Sequence, residues 1–365
     1  MNIKEFLSQL NTLVPLAQAE SFDNVGLLCG NPNREVESIL IAHDALETVI
    51  EEAINIKANV VVVFHPIIFS GLKSITGKNY VERSVMKALE NKIAIIAIHT
   101  ALDNDFLGVN YRIGQVLGLQ NLKTLMPKTQ DLYQLSVYVP KDNAAAVEQA
   151  LFEAGAGQIG FYDECRFSIS GQGTFRPKQG AQPYIGSVNE RTEVEEIMLS
   201  VIFEKYKKSN IITAMKQAHP YEEVAYQIYA LENENQYLGL GQYGEWQTPL
   251  SEPDFLNLLK EKFNLKVIKH SPTLGKTIQR VAMLGGSGAD GIKAAMAQNC
   301  DAYITADLKY HDFYQAENQI LLCDIGHFES EQFVVQQLFE ILSENFTKFA
   351  ISKTTQNTNP VNYFI

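Results

Sequence analysis

Seven histidines stand at positions 43, 65, 99, 219, 270, 311 and 327. Four of them close an apolar run: ILIA–His43, VVVVF–His65, IAIIAI–His99 and LLCDIG–His327. In open α/β sheets ligands gather beyond the carboxyl ends of the strands, so imidazoles delivered there from several strands can meet around one point. A lone histidine at a strand end ordinarily packs or caps; several in one chain weaken that reading. Two of the four carry a carboxylate one helical turn further on, His99 with Asp103 and His327 with Glu331, which puts both ligand types on one face if the backbone there is helical. Imidazole nitrogen with carboxylate oxygen suits Zn, Mn, Fe or Co rather than Ca. Pro66 stops the strand directly after His65. Spacing alone leaves both a metal site and a set of satisfied strand-end histidines open.

Other residues are weaker candidates. GGSG at 285–288 follows the apolar run VAML and precedes DGIKAAM. Such a turn can cradle phosphate on free amides, but a tight strand–helix connection is the expected reading. Asp307 and His311 follow a strand-like run and can face the same cleft. Lys205, Lys207 and Lys208 read as a solvated surface run. Cys29, Cys165, Cys300 and Cys323 are far apart, with no two-residue pairing of a zinc or redox motif; three sit in apolar runs and read as core residues.

The elements that must position these side chains follow from the apolar pattern. Residues 1–127 alternate helix and strand, and their near-continuous apolar strands predict a parallel sheet covered on both faces. From about 130 the strands alternate instead, in the order strand–helix–strand, strand–helix–strand of a ferredoxin-like fold. Near 245 the first style returns, with helices expected over EPDFLNLLKEKFN, DGIKAAMAQN, KYHDFYQAEN and ESEQFVVQQLFEILSENF. The expected organisation is an outer α/β domain split into 1–127 and 241–365 by an inserted domain at 128–240.

At 365 residues, with Lys+Arg 30 against Asp+Glu 42 and a net charge of −12, the chain is long enough to bury a large core. Its acidity argues against coating a polyanion. The N-terminus lacks a basic-then-apolar leader, and the apolar runs are strand-sized. A cytoplasmic protein without membrane or nucleic-acid partners is expected.

The motifs SFDNVGLLCG (21–30), FHPIIFSGLK (64–73), HTALDN (99–104), AHPYEEVAYQIYAL (218–231), GGSG (285–288), TADLKYH (305–311) and DIGHFESE (324–331) fall in one order along the chain. In this the sequence resembles the Nif-three-like family, whose bacterial members carry the name GTP cyclohydrolase I type 2 homologue. The resemblance implies an outer α/β domain with a two-metal centre, a PII- or CutA-like ferredoxin-fold insertion, and a homohexamer. It implies His65, Asp103, His327 and Glu331 as metal ligands, with His99 in support. Where the family has a first histidine in its His-His-Pro strand end, this chain has Phe64, which cannot ligate. His43 stands where the family usually shows an apolar residue, so it is not an implied ligand and is not expected to face the cleft.

The leading expectation is a hydrolase that uses one or two divalent metal ions (Zn, Mn, Fe or Co) on a nucleotide or related heterocycle. Water activated at the metal would be the nucleophile, with Glu331 or Asp103 orienting it or carrying its proton. The competing expectation is a non-enzymatic metal-binding assembly whose PII-like insertion senses a ligand or partner.

Overall fold

The computed structural model describes residues 1–364. It is a mixed α/β structure with three sheets, and the chain separates into two compact units: Met1–Met126 with the chain from Tyr237 onward, and Pro127–Gln236.

The first stretch holds α1 (Ile3–Leu13), β1 (Gly26–Cys29), β2 (Ser38–Ala42), α2 (Glu47–Asn55), β3 (Val60–Val63), α3 (Tyr80–Glu90), β4 (Ala94–Ala97), α4 (Thr100–Asn104), α5 (Val109–Leu117) and β5 (Gln120–Lys128). Helix α1 starts on a capping box, in which Glu5 N–H donates to Asn2 Oδ1 and Asn2 N–H to Glu5 Oε2. Strands β2, β3 and β4 are parallel, and every residue of β3 and β4 is buried, as a sheet covered on both faces requires. On one face Val49 and Ile50 of α2 and Val85 and Ala88 of α3 pack on Leu40, Val61, Val63 and Ile95.

The middle unit runs β6 (Leu132–Pro140), α6 (Ala144–Glu153), β7 (Arg166–Phe175), β8 (Thr192–Glu204), α7 (Lys208–Ala218) and β9 (Tyr226–Ala230). Its sheet has the order β7-β8-β6-β9, antiparallel throughout. Leu199, Val201 and Phe203 of β8 meet Val147 and Leu151 of α6 and Ile211 and Met215 of α7 in a separate core.

The last stretch adds β10 (Asn235–Ser251), α8 (Glu252–Phe263), β11 (Lys269–His270), β12 (Thr277–Ser287), α9 (Ile292–Ala297), β13 (Ala302–Ala306), β14 (Leu321–Asp324), α10 (His327–Glu331), α11 (Val334–Asn345) and β15 (Ala350–Lys353). Each half of the outer unit is built on its own sheet. The two have the strand orders β1-β4-β3-β2-β15 and β11-β14-β13-β12-β10-β5. Each half of the sequence lends the other an edge strand, β15 to the first sheet and β5 to the second. One core joins them, with Ile39, Ile41 and Val62 of the first sheet clustered with Val281, Met283 and Ile304 of the second.

Two helices depart from expectation. KYHDFYQAEN forms only a 3-10 turn over Asp312–Ala316, ended by Glu317 and Asn318 in the left-handed region. The long helix expected from residue 329 is broken into α10 and α11. Among the described residues no helix is long and apolar enough to cross a membrane, and all four cysteines are free.

Candidate metal centre

Parallel register brings the strand ends together. Ala42, Val63 and Ala97 are aligned across β2, β3 and β4, and the ladder continues past them as His65 N–H donates to His43 O and His99 N–H to Phe64 O. His43, His65 and His99 therefore leave the same sheet edge. In the second sheet β14 ends at Asp324, and Gly326, at φ 95°, turns the chain into α10. That helix places His327 and Glu331 one turn apart on one face, as their spacing suggested.

These groups converge on one carboxylate oxygen. Glu331 Oε2 lies 3.2 Å from His43 Nε2, 3.3 Å from His65 Nε2 and 3.3 Å from His327 Nε2. Yet Glu331 Oε2 and His43 Nε2 are buried without a properly aligned hydrogen bond. His65, His327 and Glu331 each offer a ligand atom within 4.8 Å of the other two. The outer nitrogens are held by carboxylates: His65 Nδ1 by Asp44 Oδ1 at 3.0 Å, His43 Nδ1 by Asp44 Oδ2 at 3.0 Å, and His327 Nδ1 by Asp307 Oδ2 at 2.7 Å. Carboxylates at Nδ1 fix the ring orientation and aim Nε2 inward, the arrangement that supports metal-binding histidines. The donor set fits a divalent transition metal.

Charge is distributed accordingly. Burial opposes the imidazolium of His65, but Asp44 and Glu331 outweigh it and push the pKa up to about 10. For His327 burial is likewise overcome, by Glu331 and Asp307, giving about 9. Burial also works against the Glu331 carboxylate, but contact with His327, His43 and His65 holds its pKa well below the usual range. Asp103 goes the other way: complete burial, then repulsion from Glu331, raises its pKa. Its Oδ1 has no hydrogen-bond partner.

Of the residues marked in the sequence, the structure brings His65, His327 and Glu331 into one cluster and buries Asp103 within its field. His99 lies beside them, its ring 5.2 Å from that of His65, with Nδ1 on Asp23 Oδ1 at 2.8 Å. Its backbone, at φ 35°, ψ −122°, is strained. Asp23 also accepts from the Thr100 amide and hydroxyl, which fixes the start of α4 and so the position of Asp103. The expectation for His43 is corrected: it reaches Glu331. The residue is 4% exposed and its ring is held at Nδ1 by Asp44, an inward position that the strand end alone suggested. His311 joins no donor cluster and packs on Tyr310 and Tyr314. Two of the GGSG amides are taken: Gly285 N–H donates to Asn110 Oδ1 and Gly286 N–H to Ser330 Oγ.

Sequence reasoning missed Asp44, Asp23 and Thr358, whose hydroxyl donates to Asp44 Oδ2. Asp44 adjoins a strand-end histidine and was findable; Asp23 and Thr358 lie in segments without periodicity. Two cavities open onto the cluster. One, of about 570 Å³, is lined by His65, Phe69, Tyr80, His99 and His327. The other, of about 510 Å³, is lined by His43, Lys269, Asp307, Asp324 and Tyr363.

The motif order agrees with the family match. A family model described as Duf34/NIF3 (NGG1p interacting factor 3) matches residues 1–360. The chain belongs to the DUF34/NIF3 family. Among curated relatives, a Bacillus subtilis protein named GTP cyclohydrolase 1 type 2 homolog is 34% identical over 367 residues, spanning 100% of this chain and 96% of that protein. A Staphylococcus aureus protein of the same name is 32% identical over 368 residues, with 100% of both covered. A solved Bacillus cereus protein related to NIF3 superposes with a TM-score of 0.87 at 34% identity, covering 100% of this chain and 99% of the other. The DUF34/NIF3 resemblance read from the ordered motifs is therefore correct.

Proposed function

We propose that this DUF34/NIF3 chain binds divalent metal through His65, Asp103, His327 and Glu331 and hydrolyses a nucleotide or related heterocycle. The observation that carries the reading is Glu331 Oε2, a buried ionised oxygen without a hydrogen bond, facing imidazole nitrogens whose outer sides are already engaged. A bound divalent ion supplies Lewis acidity and makes a water more acidic. The chain's own residues supply the rest. Asp103, whose carboxyl pKa is raised by burial and by Glu331 when no ion is present, binds the ion as a carboxylate, so metal uptake displaces the proton that burial favours. Lys269, paired with Asp324 Oδ2 at 2.6 Å on the wall of the smaller cavity, is placed to meet an anionic substrate. The names of the relatives favour a nucleotide, and the −12 charge disfavours a nucleic acid. In this reading Pro127–Gln236 is an inserted ferredoxin-like domain of the PII/CutA type, and the protein works as a cytoplasmic homohexamer.

Metal analysis of purified protein, followed by a nucleotide-hydrolysis screen with the metal found, tests it. Bound metal that His327→Ala removes, together with turnover that Glu331→Gln abolishes, is expected. Protein that retains no metal overturns the reading. Metal-loaded protein that hydrolyses nothing in the screen removes its enzymatic half.

A second reading, a metal-binding assembly that senses a ligand, is favoured by one observation. The middle unit contains a cavity of about 640 Å³ lined by Tyr138, Phe175, Arg176, Tyr184, Glu196 and Tyr221. Aromatic walls with few polar groups are typical of small-molecule sites. Nucleotide binding that Glu196→Ala weakens while metal content stays unchanged would support it; a thermal-shift screen of the full chain without a hit would count against it.

A further inference from the structure

His43 has no structural need to point where it does. Its ring sits at the end of β2, buried, with Nε2 3.2 Å from Glu331 Oε2 but not aligned to donate to it. The same Asp44 carboxylate that orients His65 orients His43, one oxygen to each Nδ1, and Thr358 Oγ1 steadies it at 2.7 Å. The His43 and His65 rings are 4.5 Å apart, edge to face. Between strand ends β3 contributes only one donor, because Phe64 is fully buried with its ring 5.7 Å from that of His43 and 5.1 Å from that of His65. Phe64 thus fills space beside the cluster while the neighbouring strand sends in an imidazole.

A histidine kept only to pair with Glu331 would align an Nε2–H with the oxygen. A histidine kept only for packing would not be turned by a half-buried carboxylate that a second candidate ligand shares. We propose that His43 is itself a metal ligand, its Nε2 supplying the donor that Phe64 cannot, next to Glu331 and opposite Asp44. This rests on the metal-binding reading above and extends its ligand set to a residue that neither the motif order nor the relatives' names assign. Coordination by His43 also gives Asp44 a double role, since one carboxylate then positions two ligating rings.

Dialysed full-length protein titrated with Co²⁺ or Zn²⁺ against a chromophoric chelator tests this, with wild type and His43→Leu compared. Loss of a supporting hydrogen bond costs roughly 10–100-fold in metal affinity. Loss of a ligand is expected to cost more than about 100-fold and to alter the visible absorption of the Co²⁺ protein. A wild-type measurement guards against misfolding of the variant: in ¹⁵N-histidine-labelled protein the His43 Nε2 resonance should shift on Zn²⁺ addition as those of His65 and His327 do. Wild-type affinity in His43→Leu, or a His43 resonance that Zn²⁺ leaves in place, overturns the proposal while the metal-binding reading stands. Wild-type protein that binds neither ion overturns both.

Discussion

Asp44 is the residue on which most of the cluster geometry depends, because a single carboxylate faces two imidazoles and a hydroxyl at once. Burial works against its charge, yet His43 and His65 hold its pKa well below the usual carboxylate range, so it is ionised at any working pH. An amide has only one acceptor oxygen and presents N–H to the other ring. Asp44→Asn is therefore expected to lower metal affinity roughly 10–100-fold while leaving circular dichroism of the metal-free protein unchanged; chelator competition measures the first. The contrast between Asp44 and Glu331 also shows how far residue types alone reach. His65, His327 and Glu331 were legible because each interrupts an apolar run or lies one helical turn from such an interruption. Asp44 and Asp23 act at Nδ1, on the outer side of the rings, and a carboxylate in an irregular segment such as 19–25 leaves no periodic trace.

At the scale of elements, two connections set the cluster's precision. Gly286, near the end of β12, has φ +66°, and a Cβ there would lie 2.3 Å from Glu331 Oε1. Gly286→Ala meets both the left-handed backbone penalty of roughly 1–2 kcal/mol and a collision that pushes the Glu331 carboxylate aside. Lower thermal stability together with reduced metal content is expected; unchanged metal content would show that Glu331 tolerates displacement. The second connection is the chain after β15. Glu52 of α2 accepts from the Thr354 hydroxyl and from both the amide and hydroxyl of Thr355, which anchors the segment leading to Thr358. Burial opposes the Glu52 charge, but these donors together outweigh it and lower its pKa. The stabilisation is therefore present above the ordinary value of 4.5 and is lost as pH falls through the folded value. Glu52→Gln should lower the hydrogen-exchange protection factors of amides 354–358 several-fold at neutral pH, and in wild type the same loss of protection, after correction for the slower intrinsic exchange in acid, is expected only below pH 4.5. The parallel strands of the first sheet were readable from their apolar runs. The exchange of β5 and β15 between sheets was not, because edge pairing depends on which distant strand is left uncovered and β15 is only four residues long.

The whole molecule raises a question of linkage. All the proposed ligands lie in one unit, but they come from two stretches of sequence, 43–103 and 327–331, separated by Pro127–Gln236. A metal held by His65 and Asp103 on one side and His327 and Glu331 on the other cross-links the two halves of the outer unit and has no ligand in the middle one. Anything that binds only the folded form stabilises it, by about 2.7 kcal/mol at a hundred times its dissociation constant. For a unit of this size each kcal/mol moves the midpoint by about 2–4 °C, so saturating metal is expected to raise the outer unit's transition by about 5–10 °C. The middle unit has its own core of Leu135, Val137, Leu199 and Met215, and its transition should not move. Differential scanning calorimetry with and without metal, read alongside hydrogen exchange to assign each transition, checks this. A shift in the outer transition alone places the metal where the cluster is. An equal shift of both would mean that the metal binds elsewhere or that the two units unfold together, and no shift would mean that the buried Glu331 oxygen meets no ion.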